Sequence, residues 1–126
     1  FRGSDDVFWL PHSRHTGIDE AAVHANPQLK VIAESAKAGI FAVSTEAGRQ
    51  IFFTGHAEYD LDTLDREYPR DVAAGLPVPV PENYYEDNDP AKPMRMTWRA
   101  HAHLMFANWL NYFVYQETPF NVQEIS

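Results

Sequence analysis

The sequence predicts an α/β fold, on three observations. Three β-rich apolar runs, at residues 29–33, 40–43 and 50–54, follow one another at hairpin-like spacing. Two longer stretches, 60–75 and 97–115, repeat apolar residues with helical periodicity. The continuous run Ile51-Phe52-Phe53 suits a strand covered on both faces, as in layers of helix and sheet. A small antiparallel sheet carrying one helix layer fits the same pattern and stands as the alternative.

Taken in order, Val7-Phe8-Trp9-Leu10 is a short apolar run stopped by Pro11, which predicts a buried strand end. Ile18 to Ala25 holds helix formers and stops at Asn26-Pro27, a breaker pair. Leu29–Ala33, Ile40–Val43 and Gln50–Thr54 predict three strands; Gly39 and the Ala47-Gly48 pair mark their turns, so antiparallel neighbours are expected. Asp60 to Gly75 predicts a helix with Asp60 or Asp62 capping its first turn. Leu61, Leu64, Tyr68 and Val72 form its apolar stripe, Gly75 offers a left-handed stop, and Pro69 introduces a kink. Residues 77–93 are proline-rich and predict an extended crossing packed by Tyr84, Tyr85 and the valines. Thr97 to Tyr115 predicts the longest helix. Its stripe of Trp98, Ala102, Met105, Phe106, Trp109, Leu110, Phe113 and Val114 is assigned to the core.

Composition narrows the function. The chain has 126 residues, 10 Lys+Arg against 18 Asp+Glu, and a formal charge of −8. That length fits one domain. The acidic balance argues against a nucleic-acid or anionic-membrane surface. No apolar run approaches the ~20 residues of a membrane span, and no signal-peptide pattern follows Phe1, so a cytoplasmic location is expected. Zero cysteines exclude a disulfide scaffold and a cysteine nucleophile within these residues. Because the first residue is Phe1 and not Met, the chain is expected to be processed or part of something longer.

The most informative stretch is Thr54-Gly55-His56-Ala57-Glu58-Tyr59-Asp60, an apolar strand running into His-x-Glu and a helix start. Were that strand parallel in an open sheet, its carboxyl end would be where ligands bind. His56 and Glu58 can face the same side in extended backbone, and a carboxylate beside an imidazole fixes its tautomer, as in catalytic triads. A solvated turn with an incidental ion pair is the competing reading. Ser13, in Pro11-His12-Ser13-Arg14-His15-Thr16, is a hydroxyl candidate for a Ser13–His56–Glu58 triad, or else part of a binding loop. Arg66 and Arg70 flank Glu67; either can grip a substrate carboxylate through two parallel hydrogen bonds or form a surface ion pair. His101-x-His103 would face different ways on a helix, and no coherent ligand set points to a metal.

Several blocks resemble the homoserine O-acyltransferases of methionine biosynthesis. They are residues 11–16, 54–60, Glu67-Tyr68-Pro69-Arg70-Asp71-Val72, Pro81-Glu82-Asn83-Tyr84-Tyr85, Asn88-Asp89-Pro90, Trp98-Arg99-Ala100-His101 and Asn108-Trp109-Leu110-Asn111-Tyr112. Their order and spacing agree across nearly the whole chain, as the carboxy-terminal part of such an enzyme, residues 1–126 being one portion of a single acyltransferase domain. The resemblance implies a layered sheet like that of class I glutamine amidotransferases (flavodoxin-like) with flanking helices. It implies a Cys–His–Glu triad that passes an acyl group from acetyl-CoA or succinyl-CoA to a cysteine and then to the hydroxyl of L-homoserine. By motif, His56 is the general base, Glu58 orients it, Arg70 holds the acceptor's carboxylate and Ser13 lines the substrate pocket. No bound cofactor or metal is implied, and a homodimer is.

The family's cysteine, oxyanion-hole amides and substrate-binding lysine belong to the missing N-terminal portion. The isolated chain is therefore expected to be inactive. Two other readings accompany this one: a glutaminase-type amidotransferase of the same superfamily, and a non-catalytic module acting in binding or assembly.

Overall fold

The computed structural model describes residues 2–46, 48–117, 119 and 121–124. Its elements run α1 (Glu20–Ala25), β1 (Leu29–Ser35), β2 (Gly39–Thr45), β3 (Ile51–Phe53), α2 (Thr63–Ala73) and α3 (Arg99–Trp109). α1 starts two residues later than Ile18 because Asp19 takes the cap, its carboxylate accepting the Ala22 N–H at 3.0 Å.

The three strands pair antiparallel in the order β1-β2-β3, as their spacing predicts. Val31 lies opposite Val43, and Val43 opposite Phe52, with the β1–β2 register shifting on either side of Ala33. Ala47, expected to help mark the second turn, lies outside the described residues. In β2, Ile40, Phe41, Ala42 and Val43 are all buried, so this strand is covered on both faces. β3 is not: it is an edge strand, with Phe52 and Phe53 51% and 40% exposed. Together the helices and this small sheet make an α/β arrangement, with the antiparallel sheet that the pattern left open as an alternative. Residues 7–10, expected as a strand end, form none: Phe8 and Leu10 pack on the core while Val7 and Trp9 face outward.

The core lies where β2, α2, α3 and a tyrosine pair converge: Phe41, Ala42, Ala57, Leu64, Tyr84, Tyr85, Trp98, Ala102 and Met105. The proline-rich crossing delivers those tyrosines onto the first turn of α2. The Tyr84 hydroxyl accepts the Asp65 N–H at 3.2 Å and donates to the Leu61 carbonyl, and the Tyr85 hydroxyl donates to Asp65 Oδ1 at 2.8 Å. Burial, then Asp65, pushes the Tyr85 phenol up, so it stays a donor. This replaces the expected cap. Asp62 makes no side-chain cap and turns instead to Arg66, 3.1 Å away.

α2 continues through Pro69 to Ala73 and is closed by Gly75, just past its end, where φ is 75°. There the Gly75 and Leu76 N–H groups close back on the Val72 and Asp71 carbonyls, at 3.0 Å each. Of the predicted stripe, Leu64 is buried but Val72 is 50% exposed; Asp71 is buried in its stead. α3 runs on into a wide π-helical turn over Leu110–Tyr115. Only the first part of its apolar stripe is core. Trp98, Ala102 and Met105 are buried, whereas Phe106, Trp109, Leu110 and Phe113 are each about two-fifths exposed.

Candidate active site

Past β3 the chain leaves the sheet but stays pinned. Thr54 still pairs with β2, its N–H donating to the Phe41 carbonyl at 2.9 Å and its hydroxyl to the Ile40 carbonyl at 2.5 Å. The His56 N–H donates to the Pro11 carbonyl at 2.8 Å, with Gly55 packed against Pro11 and His12. Ala57 sits in the core, and the Trp98 indole N–H donates to the Tyr59 carbonyl at 3.0 Å. Since β3 is antiparallel to β2, the carboxyl-end rule for parallel strands does not place this loop. Its anchors do.

His56 Nδ1 lies 2.9 Å from Glu58 Oε1. The pair forms across a turn, the Tyr59 N–H reaching the His56 carbonyl at 3.5 Å, and not along extended backbone as expected. The two side chains are 34% and 61% exposed, so the pair adds only about 0–1 kcal/mol to stability. What it supplies is orientation: with Nδ1–H donated to the carboxylate, Nε2 is the basic nitrogen.

The imidazole also lies face to face with Tyr59, ring centroids 4.3 Å apart and planes 15° from parallel. The Tyr59 hydroxyl donates to Glu67 Oε1 at 3.1 Å, and Ser13 lies close enough to the same phenol to pull its pKa down. Burial and then Glu67 push this phenol above its ordinary pKa. Ser13 thus lies beside Tyr59, and no hydrogen bond joins it to His56 among the described residues. Glu67 Oε2 is buried and has no partner there.

One turn on, Arg70 Nε donates to Asp71 Oδ1 at 2.8 Å, while His15 Nε2 stands 3.3 Å from Asp71 Oδ2. The hydrogen bond from Arg70 holds the buried Asp71 carboxyl below its usual range, against the opposite pull of burial. Asp71, with smaller contributions from Glu67 and Tyr59, pushes the Arg70 guanidinium up. The Arg70 side chain is otherwise 61% exposed, which leaves its Nη groups open to an anion. His12, beside Gly55, has its pKa lowered by burial, then by Arg14 and His56, and its buried Nδ1 has no partner among the described residues.

The four residues singled out by sequence, Ser13, His56, Glu58 and Arg70, thus surround Tyr59 and Glu67. Those two were missed as site residues, although Tyr59 adjoins Glu58 and Glu67 precedes Arg70 by three positions on one helix face. Arg66 is spent on Asp62. His101 stacks on Phe8 and pairs with Asp5, while His103 is exposed. Among the described residues no three His, Asp or Glu side chains are grouped so as to hold a metal, and no helix is long and apolar enough to cross a membrane.

Comparison with known proteins agrees with the motifs. Residues 1–120 match the homoserine O-succinyltransferase family. Proteins described as homoserine O-acetyltransferase are similar over nearly the whole chain. That of Clostridium acetobutylicum is 54% identical over 121 residues, covering 96% of this chain and 40% of the relative. That of Desulfitobacterium hafniense (strain DSM 10664 / DCB-2) is 51% identical over 124 residues, covering 98% and 40%. That of Thermotoga neapolitana is 51% identical over 125 residues, covering 99% and 41%. The chain spans about two-fifths of the length of these relatives. On the family match and these identities, the chain belongs to the homoserine O-succinyltransferase family.

Proposed function

We propose that this chain is the acceptor-side portion of an acyl-CoA-dependent homoserine O-acyltransferase. The preceding portion of the enzyme would supply the nucleophilic cysteine, the oxyanion hole and the remaining strands of a glutamine-amidotransferase-like sheet. The observation that carries this reading is the oriented pair His56–Glu58, 2.9 Å apart, beside a cationic Arg70 and an unpaired buried carboxylate oxygen on Glu67.

In the acylation half, His56 Nε2 takes the cysteine's proton as its sulfur attacks the acyl-CoA thioester, and returns it to the departing CoA thiolate. In the transfer half, Nε2 takes the proton of the homoserine hydroxyl as that oxygen attacks the acyl-cysteine. The tetrahedral intermediate expels the cysteine thiolate, which recovers the proton from the imidazolium. Glu58 keeps Nδ1–H occupied throughout.

The acceptor is an α-amino acid, and two of its charges find counterparts. Arg70 suits its carboxylate by bidentate hydrogen bonding. Glu67 Oε2 suits its ammonium, which would relieve the ~1–3 kcal/mol that an unpaired buried acceptor costs. Ser13 lines the same pocket. The acyl donor is a CoA thioester, acetyl by the names of the relatives and succinyl by that of the family. The working enzyme is a cytoplasmic homodimer in this proposal.

Alanine variants of the complete enzyme test it. His56→Ala lowers kcat by about 10²–10⁴-fold, the usual contribution of a general base, and Glu58→Ala lowers it less. A His56→Ala enzyme with unchanged kcat would remove the basis of the reading.

A further inference from the structure

Resting on His56 as the general base, we propose that Tyr59 is the positioning residue of this site, holding the base with its ring and the acceptor pocket with its hydroxyl. The ring stacks on the His56 imidazole, centroids 4.3 Å apart at 15°. Glu58 alone fixes the imidazole at one atom, Nδ1, and leaves it free to swing about that hydrogen bond. A flat neighbour on its face removes that freedom and sets the direction in which Nε2 points.

The hydroxyl acts on the other side. It donates to Glu67 Oε1 at 3.1 Å, so Glu67 is located by this phenol, and Ser13 lies beside it. Tyr59 is itself anchored: the Trp98 indole N–H donates to its carbonyl at 3.0 Å, and the ring packs against the core. One anchored residue therefore sets the distance between the base and the Glu67 carboxylate that receives the acceptor. Such a residue touches no reacting atom, yet a displacement of about 1 Å at a reacting group is worth about 10²-fold in rate.

The ring and the hydroxyl separate in two variants, assayed in the complete enzyme beside His56→Ala. Tyr59→Phe keeps the stack and loses the hydroxyl, so its main effect is a rise of about tenfold in KM for homoserine, with KM for acyl-CoA unmoved. Tyr59→Leu loses both, so kcat falls by about 10²-fold in addition. A merely structural role would lower the active fraction in proportion to lost stability and leave the homoserine KM unmoved in both variants; that result overturns the proposal.

A second measurement needs no turnover. In the complete enzyme, the carbon-bound ring protons of His56 lie in the shielding cone of Tyr59. Their NMR signals move downfield in Tyr59→Leu and stay in Tyr59→Phe; unchanged signals in Tyr59→Leu contradict the stack. If His56→Ala retains full activity, the reading of His56 as base fails. If His56→Ala is inactive and Tyr59→Leu keeps normal kcat and KM, only the role of Tyr59 fails.

Discussion

Gly55 faces His12 so closely that a Cβ on it would stand 2.9 Å from His12 Nε2, and equally 2.9 Å from the Pro11 carbonyl oxygen. Neither neighbour can yield cheaply: the oxygen is backbone and already accepts the His56 N–H, and His12 packs edge-on against Phe41. The approach of the 11–12 segment to the loop that bears His56 is what places its side chain.

Gly55→Ala therefore displaces His56 before it unfolds the chain. Its expected cost is about 1–3 kcal/mol, the usual penalty of overpacking. The expected loss of kcat in the complete enzyme, about 10²-fold, exceeds what reduced folding explains. Denaturant unfolding and steady-state kinetics on one variant separate the two effects. Equal stability and equal kcat would mean that the close approach has no function.

Two groups make the fold acid-sensitive in separate ranges. His12 resists protonation in the folded state, whereas unfolded it takes up a proton near 6.5. Below that pH the unfolded chain binds more protons, so stability falls as pH drops until folded His12 titrates. Asp71 is depressed from 3.8. Its contribution is present above that value and is lost as pH falls through its folded pKa. Thermal melts across the acid range should show both declines, and His12→Gln should abolish the first while sparing the second.

Arg70→Lys keeps the charge and loses the planar fork. KM for homoserine should rise by about tenfold or more with kcat little changed, since the effect falls on acceptor binding. An unmoved homoserine KM would end the carboxylate-clamp assignment.

Phe52, Phe53, Phe106, Trp109, Leu110 and Phe113 are each about two-fifths exposed or more, an unusual load of large apolar surface for so short a chain. The 126-residue chain should bind a hydrophobic dye strongly. Joined to the cysteine-bearing portion, the same residues should be covered and the dye signal lost. A signal that persists would place the remaining portion elsewhere.

Much of this was legible in the sequence because it depends on neighbours in the chain. The runs at 29–33, 40–43 and 50–54 became β1, β2 and β3, and Gly75 closed α2. Burial was harder to read, because it depends on what lies opposite. The apolar run at 7–10 forms no strand, and Phe106, Trp109, Leu110 and Phe113 stay about two-fifths exposed. The site split in the same way. His56, Glu58, Ser13 and Arg70 stand in distinctive motifs. Tyr59, Glu67 and His12 matter through contacts that only folding creates: a ring face, a buried oxygen, a missing Cβ.

The central claim is that this chain holds the base and acceptor pocket while the nucleophile lies in a separate portion. The direct measurement is acyl transfer from acyl-CoA to homoserine, by the chain alone and after joining it to the cysteine-bearing portion of the enzyme. The chain alone should give no turnover above background, and the joined enzyme should give turnover that depends on His56. Turnover by the chain alone, or none that depends on His56 after joining, would contradict that claim.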